Sequence, residues 1–181
     1  MTVTAVNYTE VVPLVDYIKS KYNIEFVALN RFIPNSYLPE NINKMLIPTI
    51  DQLESTLSDL DILNSKYPDM NLKYAIHFPH CIIKNEKLRK YIGRCGFGEH
   101  YCSIDMNGNM QMCSYGGPIL GNVFSENLID IWNNNSTLNS YRSEDWMPKK
   151  CKDCTYRNNC VSGCKVSSGI DPFAPDILLN A

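Results

Sequence analysis

Apolar residues in the first third of the chain change their spacing twice, and each change marks a boundary between elements. Thr2 to Val6 alternates apolar and small polar side chains and predicts a short strand. From Tyr8 to Tyr22 the apolar residues Val11, Leu14, Val15, Ile18 and Tyr22 recur three or four apart, the spacing of one helix face. Pro13 is compatible with this helix: with Thr9 as N-cap it falls among the first four helical positions, whose N–H groups lack intrahelical partners anyway. The run Ile24 to Leu29 then predicts a second strand, and the three elements form a βαβ unit with parallel strands and a right-handed connection.

Arg31 to Pro48 contains Pro34, Pro39 and Pro48 with Asn35, Ser36 and Asn41, which predicts irregular structure. Thr49 and Gln52 have the spacing of a capping box ahead of Ile50, Leu53, Leu57 and Leu60, so a helix is predicted from there to about Ser65. Leu72, Tyr74, Ile76 and Phe78 alternate as in a strand. Residues 79–94 carry Lys84, Lys87, Arg89, Lys90 and Arg94 among few apolar residues and read as a solvated linker rather than a binding patch.

Beyond Cys95 the chain is rich in cysteine and glycine. Cys102 to Asp105 and Met110 to Cys113 flank Asn107-Gly108, the commonest pair for a two-residue hairpin turn, so Cys113 is expected to end a hairpin strand. Ser125 is a candidate cap for a helix whose Leu128, Ile129, Ile131 and Trp132 would pack on the hairpin. No internal repeat or low-complexity tract is present.

Composition narrows the function more than the fold. The 181 residues, 44% of them apolar, suit one globular domain or two small ones. A formal net charge of −2 gives no reason to expect a nucleic acid or an anionic membrane as partner. With no signal-length or membrane-length apolar run, a cytoplasmic protein is the expectation. The eight cysteines do not fit a secreted disulfide scaffold, which is usually shorter. None precedes Cys81, and seven lie between Cys95 and Cys164, as a localised metal site would require.

In the last group Cys151 and Cys154 are separated by two residues, Cys160 follows after five and Cys164 after three. A Cys-x-x-Cys step lets two sulfurs converge on one centre across a tight turn, and two further thiolates complete a tetrahedral zinc site or bind separate irons of a cluster. Upstream, twelve residues lie between Cys95 and Gly108, and four more between Gly108 and Cys113. The three additional thiols Cys95, Cys102 and Cys113 favour iron-sulfur over structural zinc, which stays as the alternative metal. His77, His80 and His100 offer little: only His100 lies among the cysteines, where a hydrogen-bonding or surface role is the expectation. Tyr101, Tyr115 and Tyr156 also fall there, but tyrosine is abundant throughout. No nucleophile-base set, paired-carboxylate site or phosphate loop is readable.

The whole pattern, with the segments CGFG, IDMNGNMQMC and LGNVFSENLIDIW in that order, resembles the SPASM domain, the auxiliary iron-sulfur domain of radical S-adenosylmethionine (SAM) peptide and protein maturases. The resemblance implies two [4Fe-4S] clusters, one held by Cys95, Cys102, Cys113 and Cys164 and the other by Cys151, Cys154 and Cys160. The family's last cysteine has no counterpart, so the resemblance implies either that the sequence stops just before that residue or that the fourth bond of the second cluster falls to Asp171, Asp176 or an exogenous group. Cys81 lies outside the pattern and is expected to be a buried small hydrophobe. The family's SAM-cluster motif, Cys-x3-Cys-x2-Cys, is absent from this chain. Thr2 to Pro34 is similar to the last strand-helix-strand of the partial barrel that precedes SPASM in complete enzymes.

The implied fold class is α/β: the C-terminal part of a partial (β/α) barrel (1–78), a linker (79–94) and a small α+β cysteine-rich SPASM-like domain (95–181). The implied function is auxiliary cluster binding in a maturase acting on a peptide or protein substrate. SAM itself would be used only by the complete enzyme, whose SAM-binding half would come from a partner chain or from sequence missing through truncation, a split gene or incompleteness. A redox donor or acceptor would be a further partner. A stand-alone zinc- or cluster-binding interaction module is the alternative.

Overall fold

Strands β1 (Thr2–Val3), β2 (Phe26–Arg31) and β3 (Asn71–Tyr74) form a parallel sheet in that order, with Val3 opposite Arg31 and Leu29 opposite Tyr74. The structure, a computed structural model, describes residues 1–167, 173–174 and 176–179. The chain divides into two units, Met1–Arg94 and Cys95–Ala181.

In the first unit, alternate residues Val27, Leu29 and Arg31 of β2 are buried. Helices α1 (Val11–Lys21) and α3 (Ile50–Lys66) pack on each other, and α3 also packs on β3. Leu53, Leu57, Leu60 and Leu63 of α3 are inaccessible to solvent, each contributing about 1.5–3 kcal/mol of transfer free energy. The capping box forms as predicted: Thr49 Oγ1 accepts the N–H of Gln52 at 3.2 Å, and Gln52 Oε1 accepts the N–H of Thr49 at 2.9 Å. Buried Thr56 shares its hydroxyl with that of Tyr74, whose ring meets Phe78 edge-on at 5.0 Å.

Three expectations for this unit are corrected. The face of α1 is narrower than its periodicity predicts: Val11 and Val15 are buried, Leu14 and Tyr22 are exposed, and a 3-10 turn at Tyr8–Glu10 precedes the helix. A short helix, α2 (Glu40–Leu46), interrupts the predicted loop. Pro39 is its N-cap, Glu40 pairs with Lys44 at 2.6 Å, and none of its residues is buried, so no apolar stripe betrays it. Residues 79–94 are not a solvated linker. They fold into 3-10 turns at His80–Ile82 and Glu86–Tyr91 and bury Ile83, Leu88, Tyr91 and Ile92, while Arg89 donates to the carbonyl of Ile83 at 2.8 Å. Lys84 and Lys90 extend outward from this small apolar seam, while Arg89 folds inward onto it.

The second unit is built on an antiparallel sheet of β4 (Ser103–Ile104), β5 (Asn109–Cys113) and β6 (Gly116–Asn122). The hairpin turn sits where expected, but it has three residues rather than two. Gly108 donates to the carbonyl of Asp105 and takes φ +80°, whereas Asn107 does not take positive φ. Asp105 Oδ1 accepts the N–H groups of Asn107 and Asn109, fixing a turn followed by a left-handed glycine. Strand β6 is an addition: Gly116, Gly117 and Pro118 disguise its start as loop.

Asn127, not Ser125, caps α4 (Leu128–Asn134), accepting from Ile129 and Asp130. Of the predicted packing residues Ile131 is buried, but Leu128 and Ile129 are exposed. Helix α4 approaches β6 at Gly121, where a Cβ would stand 2.9 Å from Ile131. Asn135 then caps α5 (Ser136–Arg142) and donates to the carbonyl of Leu120 at 2.7 Å, tying both helices to the sheet. Two further single-turn helices, α6 (Lys149–Lys152) and α7 (Arg157–Cys160), carry cysteines. Among the described residues no helix is long and apolar enough to cross a membrane.

Candidate metal centre

All seven cysteines from Cys95 to Cys164 lie in the second unit, Cys113, Cys151 and Cys160 on short elements and the other four in the segments between elements. Cys95 opens the CGFG segment. There Gly98 takes φ +69° with Met112, Tyr141 and Leu138 within 3.3 Å of where a Cβ would be, so only glycine lets this segment approach α5 so closely. Arg142 locks the segment in place: it donates to the carbonyl of Gly98 at 2.9 Å and to that of Trp132 at 2.7 Å, and lies over the Trp132 ring. Cys113 ends β5, as expected.

Between Cys160 and Cys164 the backbone is strained. Val161, Ser162 and Gly163 take φ of 49°, 59° and 81° in succession. This region suits the glycine but costs a β-branched valine about 1–3 kcal/mol. Every residue from Val161 to Ser167 is buried. Asp176 braces the loop, its two carboxylate oxygens accepting the N–H groups of Cys164 at 2.8 Å and Leu178 at 3.0 Å. As a fourth cluster ligand Asp176 would have to share oxygens already used by the backbone. Asp171, the other carboxylate considered, lies outside the described residues.

The hydroxyl of Tyr101 lies 3.7 Å from Cys95 Sγ, and the thiols of Cys95, Cys113 and Cys164 are all buried. Burial, and after it the neighbouring thiols with Cys95 first, suppresses the acidity of that hydroxyl. Burial likewise pushes the Cys113 thiol up, while hydrogen bonds from Ser114 and the N–H of Tyr115 pull it down. Burial draws the Lys165 ammonium down to about 8, opposed by the charges of Asp176, Cys160, Cys151 and Cys164. Cys154 Sγ accepts the N–H of Tyr156 at 3.4 Å. Cys102 is half-buried and is not among the groups acting on Tyr101. Among the described residues no three His, Cys, Asp or Glu side chains are gathered as for a single metal ion. A cluster makes a different demand, since each thiolate binds its own iron.

Cys81 is exposed, not buried as expected: it lies on the surface turn His80–Ile82. His100 is exposed. Tyr101 acts through its hydroxyl, whereas Tyr115 and Tyr156 act through backbone N–H groups, which residue type cannot reveal. Lys165 and Trp146 were not legible as site residues. The ammonium of Lys165 lies 4.2 Å from the centroid of Trp146, which in turn stacks on Tyr141.

The donor chemistry fits an iron-sulfur centre: soft thiols with no disulfide among them, N–H groups aimed at sulfur, and a buried cation beside the thiols. Residues 95–155 match the SPASM family, described as an iron-sulfur cluster-binding domain. In sequence the chain is similar to proteins described as PqqA peptide cyclases. It is 26% identical over 132 residues to the PqqA peptide cyclase of Rhizobium meliloti (strain 1021), covering 70% of this chain and 33% of that protein. With the PqqA peptide cyclase of Xanthomonas oryzae pv. oryzae (strain MAFF 311018) it shares 27% identity over 124 residues, 66% of this chain and 32% of that one. The chain therefore spans about a third of the length of these curated relatives. Among solved structures, Streptococcus suis SuiB bound to S-adenosylmethionine matches with a TM-score of 0.61 and 18% identity over 97% of this chain and 42% of that one, a likeness of fold.

Proposed function

We propose that this chain is the auxiliary-cluster portion of a radical SAM maturase acting on a peptide or protein, and that its second unit holds two [4Fe-4S] clusters. The first cluster is assigned to Cys95, Cys102, Cys113 and Cys164, the second to Cys151, Cys154, Cys160 and a fourth ligand from outside the cysteine set. The observation that carries this reading is the match of residues 95–155 to an iron-sulfur cluster-binding domain, supported by the burial of Cys95, Cys113 and Cys164 and by the Tyr101 hydroxyl 3.7 Å from Cys95 Sγ.

Bound clusters of this kind supply one-electron transfer or a docking point for substrate. The residues here set the conditions. Burial of Cys95, Cys113 and Cys164 keeps water from the sulfurs, and the N–H groups of Tyr115 and Tyr156 stabilise negative charge on Cys113 and Cys154. The first unit is read as strands and helices from the end of a partial barrel, with residues 95–181 as the cluster domain. None of the eight cysteines forms Cys-x3-Cys-x2-Cys, so SAM cleavage is assigned to a segment or partner chain outside this sequence.

Anaerobic reconstitution of the full chain with iron and sulfide tests the reading. The expected product is brown and contains about eight irons and eight acid-labile sulfides per chain. Colourless protein that retains zinc alone would refute it and favour the structural zinc module.

A further inference from the structure

The chain from Cys95 to Tyr101 turns back on itself. Glu99 and His100 donate their N–H groups to the carbonyl of Gly96 at 3.1 and 2.8 Å, and Gly98 donates to the carbonyl of Tyr101 at 3.3 Å. Tyr101 is thereby bridged to Phe97, which is buried edge-on against Tyr141 at 5.2 Å. The turn can close this tightly because Gly96 has no side chain: a Cβ there would stand 3.2 Å from Cβ of His100 and 3.4 Å from Cδ1 of Tyr101. The Tyr101 ring therefore lies against the residue that follows Cys95, and its hydroxyl reaches Cys95 Sγ at 3.7 Å, within hydrogen-bond range for sulfur. Backbone pairing and a buried neighbour fix the phenol in this position before any metal binds.

As a thiol, Cys95 can either donate or accept in this contact. As an iron ligand it is a thiolate without a proton, and the phenol is then the donor of the pair. We propose that the Tyr101 hydroxyl donates a hydrogen bond to the Cys95 sulfur of the first cluster and thereby raises the reduction potential of that cluster. This rests on the cluster reading above. A cluster with thiolate ligands gains negative charge on reduction, part of it on the ligand sulfurs. A donor fixed on one of those sulfurs therefore stabilises the reduced form more than the oxidised one. Unlike a backbone N–H, this donor belongs to a side chain, so substitution removes it and leaves the turn that carries it in place.

The test is a dithionite titration of the reconstituted full chain followed by electron paramagnetic resonance, in which dithionite donates one electron to each cluster. The signal lost in Cys113→Ala identifies the first cluster. In Tyr101→Phe, which keeps the ring and removes the hydroxyl, the ratio of reduced to oxidised first cluster at its wild-type midpoint is expected to fall about fivefold. That is a midpoint lower by about 40 mV for one electron, while the other cluster's midpoint stays where it was. Where Tyr101→Phe does not retain the first cluster, 3-fluorotyrosine at position 101 decides: it is the stronger donor, and the midpoint should rise. An unchanged midpoint in Tyr101→Phe overturns the proposal, as does an unchanged midpoint with 3-fluorotyrosine or a shift of equal size in both clusters. Wild-type protein that takes up no iron and sulfide would instead refute the cluster reading itself, so the two failures are distinguishable.

Discussion

Val27, Leu29, Leu53, Leu57, Leu60 and Leu63 close the first unit with hydrocarbon, whereas the fully buried stretch of the second reads Val-Ser-Gly-Cys-Lys-Val-Ser. The first arrangement is stable on transfer free energy. The second buries polar groups, including Ser162 Oγ and Lys165 Nζ without hydrogen-bond partners among the described residues, and takes two non-glycine residues through left-handed backbone. Each such feature costs free energy. The difference teaches that apolar packing alone does not explain this loop, for which a thiolate-held cluster is the proposed further source of stability.

The sharpest way to break the comparison is to remove the iron. Anaerobic chelation of the reconstituted chain is expected to raise amide hydrogen exchange across residues 95–167 by about a hundredfold or more, equivalent to about 2.7 kcal/mol, and to leave residues 1–66 unchanged. Equal exposure of both units would show that they share one source of stability. The reverse experiment is Leu60→Ala, at a site with no solvent exposure. It should cost the first unit about 3 kcal/mol in urea unfolding while iron content stays at the wild-type level.

A smaller effect concerns pH. Burial, with help from His80 and Lys73, holds His77 down at about 4, and burial also lowers His80. The unfolded chain binds protons on these histidines from about pH 6.5 downward, while folded His77 stays neutral. Stability from His77 is therefore complete above pH 6.5 and lost as pH falls toward 4, with a slope of up to ~1.4 kcal/mol per pH unit. His77→Gln should flatten that slope in thermal melts between pH 7 and 4.5, leaving the share due to His80.

What could be read from sequence was whatever is decided locally. The Thr49–Gln52 capping box depends on two side chains three residues apart and appears as predicted. The parallel pairing of β1 and β2 follows from the strand-helix-strand order. The hairpin at Asn107-Gly108 was legible in place but not in type, because the carboxylate of Asp105 recruits two N–H groups and shifts the positive φ to glycine alone. Helix α2 and strand β6 were hidden by prolines and glycines at their starts. Within the site, cysteine spacing marked the candidate ligands, but nothing marked their surroundings. A lysine reads as surface, and valine and serine give no hint of left-handed backbone, so Lys165 and the Val161–Gly163 run needed the three-dimensional arrangement to be seen.

The burial of Cys95, Cys113 and Cys164, each less than a tenth exposed, has a kinetic meaning as well. Oxygen, alkylating reagents and chelators meet these sulfurs only when the surrounding chain opens, so attack proceeds through a transient population rather than through the ground state. When closing outpaces attack, the labelling rate measures the opening equilibrium; at high reagent concentration it becomes the opening rate itself. The lifetime of this site in air is then governed by how often the chain breathes.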